Sequence, residues 1–150
     1  MKKLLLVVAV VFATSLLKAQ STFTQINSLF QNSCAIGCHN GVDNSGNLNL
    51  SGTDSEVYNR LVNVSPTNPA AAAKGYKLIR PGYPDRSFLM RKCNNGLYPN
   101  EALTIEEGAG MPNYGGPGPA IPQQNLEMIR QWIYQGAPLI EEKSTGSGKV

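Results

Sequence analysis

The chain is expected to be all-α: a small domain of about four short helices joined by long glycine- and proline-rich loops. Three observations predict this. Four segments carry apolar residues at helical spacing, each with a start or stop signal. The extended pieces, Leu48-Asn49-Leu50 and Leu78-Ile79-Arg80, are too short to build a sheet around. From Asn94 to Ile121, Gly108, Gly110, Gly115, Gly116 and Gly118 alternate with Pro112, Pro117 and Pro119, and a loop that long is usually functional or disordered.

Residues 1–19 read as an export signal ahead of the domain. Met1-Lys2-Lys3 gives a basic start, Leu4 to Leu17 an apolar run, and Lys18-Ala19-Gln20 a cleavage region, with the cut expected after Ala19. The apolar run is shorter than the roughly 20 residues of a spanning helix. The product is therefore expected in the periplasm or secreted, without a transmembrane segment. Residues 20–140 then form one domain, and 141–150 a charged, small-residue tail.

Within that domain, the first helix is expected from Phe23 to Gln31. Thr22 and Gln25 have capping-box spacing, and Phe23, Ile26, Leu29 and Phe30 form its apolar face. A polar turn-rich stretch, 40–47, follows. The second helix starts after Thr53, with Glu56 three residues on, and carries Val57, Tyr58, Leu61 and Val62. Residues 63–75 read as a loop with at most one helical turn. Pro84-Asp85 opens the third helix, which runs to Lys92. Pro122 opens the last, where Leu126, Ile129 and Ile133 share a face and Gly136 and Pro138 end it. Trp132 and Phe30 are expected to pack the last helix on the first.

Charge excludes one class of partner. The chain has 13 basic and 10 acidic residues, and Lys2, Lys3 and Lys18 leave with the signal, so 13 − 3 = 10 balances 10. A neutral chain has no basic stripe for nucleic acid.

The chemistry concentrates in Cys34-Ala35-Ile36-Gly37-Cys38-His39. Two thiols can be alkylated by the vinyl groups of a haem, and the adjacent imidazole can ligate the iron. The common attachment pattern is C-x-x-C-H, and here three residues separate the thiols instead of two. His39 is the sole histidine, so a second histidine ligand from the same molecule is excluded. Met90 and Met128 lie within helical patterns and read as core filling. Met111 sits in Gly108-Ala109-Gly110-Met111-Pro112, a turn that holds a side chain in fixed orientation, and is the expected second axial ligand. Arg60, Arg80 and Arg91 are candidates for haem propionates, with solvated arginine the commoner outcome. Tyr76, Tyr83, Tyr98 and Tyr114 are candidates for the crevice lining.

These residues and their order resemble a class I cytochrome c, most closely the cytochrome c domains common in planctomycetes and Bacteroidota. The resemblance rests on the haem motif and on an L-x-L-S segment at Leu48, Leu50 and Ser51. It continues through a P-G-x-P-x-x-S-x-L run at Pro81, Gly82, Pro84, Ser87 and Leu89, and an M-P pair at Met111 and Pro112. An I-x-x-W-I-x-x-G-A close at Ile129, Trp132, Ile133, Gly136 and Ala137 completes it, so that residues 22–138 are covered. The resemblance implies short helices around one covalent haem c held by Cys34, Cys38, His39 and Met111. It further implies an electron carrier serving other exported redox proteins, not an enzyme.

Two other readings use the same residues. A five-coordinate haem would make an enzyme or sensor that binds a small ligand. Cys34, Cys38, His39 and Cys93 make a Cys₃His set of the type that holds structural zinc. Adjacent Cys38 and His39 fit one tetrahedron poorly, and free thiols rarely persist in an oxidising compartment. Cys93 itself reads either as a buried free thiol or as a disulfide partner of Cys34.

Overall fold

A computed structural model describes residues 22–94, 96–112 and 121–140. The expected export signal and tail, Tyr114 and most of the later glycine–proline loop lie outside these residues. Five α-helices are present: α1 (Thr22–Ser33), α2 (Asp54–Leu61), α3 (Pro69–Ala73), α4 (Phe88–Cys93) and α5 (Gln123–Tyr134). Among the described residues there is no strand, only isolated bridges such as Val62 with Ile79 and Lys77 with Ser87. The all-α expectation holds, with one helix more than expected.

The additional helix is α3. Asn68 accepts the Ala71 backbone N–H through its side chain, Pro69 is pre-set for the first turn, and a run of alanines follows. The third expected helix is split: a 3-10 turn at Pro84–Arg86 precedes α4, because Ser87 adopts extended φ and ψ between them. Short 3-10 turns at Pro99–Glu101 and Ile105–Glu107 break the following irregular region.

The core is where α1 and α5 meet. Phe23, Ile26 and Phe30 of α1, and Leu126, Ile129, Trp132 and Ile133 of α5, are buried. Phe23 packs on Trp132 with ring centroids 5.1 Å apart and meets the edge of Tyr58 from α2 at 5.3 Å. The rings packed on Trp132 are therefore Phe23 and, edge-on, Tyr58, while Phe30, expected against it, is buried in the same core. Truncating an aromatic at such a position typically costs about 3–5 kcal/mol.

Helix ends are closed by short-range bonds. The capping box expected at Thr53 and Glu56 is present. At the end of α5, the Gly136 N–H donates to the Ile133 carbonyl and the Ala137 N–H to the Trp132 carbonyl, with Gly136 at φ +97°. This is the glycine-terminated motif in which a left-handed residue satisfies two orphan carbonyls. The chain beyond it is held down as well, since Tyr58 Oη donates to the Ala137 carbonyl and Trp132 Nε1 to the Pro138 carbonyl.

Polar side chains tie α1 to the segment after the cysteines. Gln31 donates to the Leu50 carbonyl at 2.6 Å, while Thr24 and Asn27 both donate to the Asp54 carboxylate. The Gln31 bond fixes Leu50 against the end of α1, and the other two hold the start of α2. That placement matters for the site.

Candidate functional site

α1 runs directly into the thiols: the Cys34 and Ala35 N–H groups both donate to the Phe30 carbonyl, which ends the helix. The three spacer residues have different places. Ala35 is buried, Ile36 is about half exposed, and Gly37 takes φ +78°, a left-handed turn that an L side chain would strain. Gly37 thus lets the longer spacer reverse the chain without pushing Cys38 away.

His39 is then pinned by the Leu48–Leu50 stretch. Its carbonyl accepts the Leu50 N–H at 2.8 Å, and its Nδ1 lies 2.9 Å from the Leu48 carbonyl oxygen. A carbonyl only accepts, so Nδ1 carries a proton, and it is Nε2 that holds the lone pair when the ring is neutral. The turn between them is closed by Asn40, whose side-chain oxygen accepts the N–H groups of Val42 and Asp43.

A cavity of about 470 Å³ opens beside these residues. Cys34, Cys38, His39 and Met111 all line it, so the structure brings together every residue the sequence singled out as a ligand or attachment point. Cys93 lines it too. Apolar wall comes from Phe30, Leu48, Leu50, Leu78, Phe88 and Leu89, and polar wall from Ser45, Thr67, Asn68 and Lys92. The volume is in the range of cofactor sites, which are mostly apolar with a few placed polar groups.

The proline–glycine–serine run explains how α4 reaches the cavity. Ser87, fully buried, donates to the Tyr83 carbonyl and accepts the Arg80 N–H. The Phe88 and Leu89 N–H groups bond the carbonyls of Lys77 and Leu78. Both side chains are thereby set into the wall. Met90, one residue on, is fully buried in the core as expected, and Met128 is partly buried against it.

Met111 is held by α4. Its N–H donates to the Lys92 carbonyl at 2.6 Å, and the Met111–Pro112 peptide is cis. Lys92 Nζ donates to the carbonyls of Glu107 and Ala109 at 2.7 and 2.8 Å. Glu107 is completely buried and pairs with Arg91 at 2.8 Å and with Lys74 at 3.1 Å. Burial pushes the Glu107 carboxyl up, but Arg91, the Thr104 N–H and Lys74 outweigh it and hold it down at about 2.

Electrostatics in the wall are dominated by burial. Desolvation, helped by neighbouring Cys38, raises the Cys34 thiol to about 11. Cys93 is raised by burial and then by Cys34. Lys92 is lowered, chiefly by burial. The three cysteines are free thiols.

Several expected lining residues are elsewhere. Arg60 donates to the carbonyls of Ser51 and Asn49, Arg91 belongs to the Glu107 pair, and Arg80 lies over the Tyr83 ring. Tyr76 sits under Arg91, and Tyr98 under Arg130 while bonding Glu127, so Tyr76, Tyr83 and Tyr98 are outside the cavity wall. The cation at the wall is Lys92, which the sequence marks only as the end of the third expected helix. The zinc arrangement is not assembled: among the described residues, no three histidine, cysteine or acidic groups converge to hold a metal ion. No helix of the described residues is long and apolar enough to cross a membrane. No protein-family model, curated protein or solved structure matches the chain.

Proposed function

We propose that this protein is an exported class I-like cytochrome c. It would bind one haem covalently in the cavity and carry electrons between other exported redox proteins in the periplasm or outside the cell. The observation that carries the reading is the His39 ring. Its Nδ1 is committed to the Leu48 carbonyl, its Nε2 is left as the nitrogen that can ligate a metal, and it shares a wall with two thiols and a thioether.

The donor set fits the group. Cys34 and Cys38 would hold it through thioethers, with His39 Nε2 and the Met111 sulfur as iron ligands. Bound, the haem supplies a one-electron iron couple, and a histidine–methionine pair favours its reduced form. The chain contributes orientation and dryness: the Leu48 carbonyl fixes the imidazole rotation, and Phe30, Leu50, Phe88 and Leu89 keep water from the ring. With no second histidine to act as a base, the chain has no apparent catalytic apparatus of its own.

The test is the full chain expressed with haem maturation factors. A Soret band is expected, and the pyridine haemochrome should show whether both sulfurs or one are attached. Met111→Ala should abolish the sulfur-to-iron charge-transfer band and lower the potential. Absence of a Soret band overturns the haem reading. A wild-type protein that lacks the charge-transfer band and binds exogenous ligands readily is an enzyme or sensor instead.

A further inference from the structure

We propose that Lys92 is a positioning residue that clamps the 107–111 segment to α4 and so holds the Met111 thioether in the cavity wall. As a statement about a ligand, it rests on the haem reading above. As a statement about the loop, it does not.

Three bonds from this one residue converge on five consecutive positions. Nζ reaches the Glu107 and Ala109 carbonyls, and the backbone carbonyl takes the Met111 N–H. The clamp has a fixed base, because α4 is anchored by buried Phe88, Met90 and Arg91. The ammonium also lies 5.2 Å from the Phe88 ring centroid, a contact that restrains its stem. The far side of the segment is fixed independently, since Asn68 of the cavity wall donates to the Glu106 carbonyl and Glu107 is buried between Arg91 and Lys74.

Gly108 and Gly110 alternate with the bonded positions and give the segment little stiffness of its own. Without the Lys92 side chain, Met111 would hang from a single backbone bond ahead of Pro112. An ordinary solvated lysine would show none of this convergence.

The experiment reads Met111 twice in the full chain. Amide hydrogen exchange follows the Met111 N–H directly, and the visible spectrum of the haem-loaded protein follows its sulfur. Lys92→Met keeps the aliphatic stem and removes the donors, so Met111 exchange should rise about tenfold or more. The Trp132 amide should stay at the wild-type rate. The charge-transfer band should weaken while the Soret band persists, and Lys92→Arg, which restores donors to both carbonyls, should recover both signals.

Unchanged Met111 exchange in Lys92→Met overturns the clamp. If Trp132 exchange also rises, the fold is lost, and Lys92→Gln takes its place as the deciding variant under the same criterion. Faster exchange with an intact charge-transfer band overturns the ligand-holding role. A wild type without a Soret band overturns the haem reading alone, and the exchange result still decides the clamp.

Discussion

Burial acts on the Cys34 and Cys93 thiols more strongly than charge does. Cys34 is raised to about 11, so at pH 8 its thiolate fraction is about a hundredfold below that of an ordinary cysteine at 9.0. Iodoacetamide should therefore modify Cys34 slowly in the folded, unloaded chain, with a rate that climbs towards pH 11. Cys93 should react more slowly still, and mass mapping of labelled peptides against time checks both. Fast labelling of Cys93 would contradict its burial. At this scale the sequence was informative where chemistry is local. Cys34, Cys38 and His39 adjoin one another, and Met111 stands in a turn with no helical reason to be core. Lys92 was hidden, because its three bonds run to positions 15 to 19 residues away and nothing in α4 itself encodes them.

Helix signals were readable where cap and apolar face agree. α2 is the clearest case, with both halves of the Thr53–Glu56 box formed and no residue of the helix in the cavity wall. Thr53→Ala should therefore lower the stability of the chain by about 1 kcal/mol in denaturant titration. The spectrum of the loaded protein should be unchanged, because the loss is confined to a helix end that contributes no residue to the cavity wall. Residues 63–75, expected to hold at most one helical turn, carry both kinds of signal: Pro66 and Pro69 mark breaks, while Asn68 before Pro69 marks the helix start that forms α3. The pairing of Trp132 with Phe23 in place of Phe30 has a similar origin. Both phenylalanines lie on one face of α1, and the angle between α1 and α5 decides which ring is met.

For the whole molecule, the group to test is Glu107. Its folded value of about 2 lies below the ordinary 4.5, so it contributes stability in full above about pH 4.5. That contribution is lost as pH falls towards 2. Glu107→Gln should remove about 3 kcal/mol at neutral pH, since buried Arg91 is left without its anion. It should also flatten the stability profile between pH 4.5 and 2, and thermal melts across that range measure both effects. A variant with the wild-type acid slope would show that the pair is not coupled to folding. The all-α class was legible because every apolar repeat is helical. The buried ion pair was not, since Arg91 and Glu107 carry no sign in the sequence that they leave water together.

α4 faces two ways within six residues: Phe88, Leu89, Lys92 and Cys93 line the cavity, while Met90 and Arg91 enter the core and the buried pair. A designer who wished to transplant the site could not lift the cysteine–histidine hexapeptide alone. The smallest portable unit is three stretches, 30–50, 66–68 and 77–112, and the last brings part of the host's interior with it. Site and scaffold are here the same piece of chain, so this cavity would be easier to adapt in place than to move.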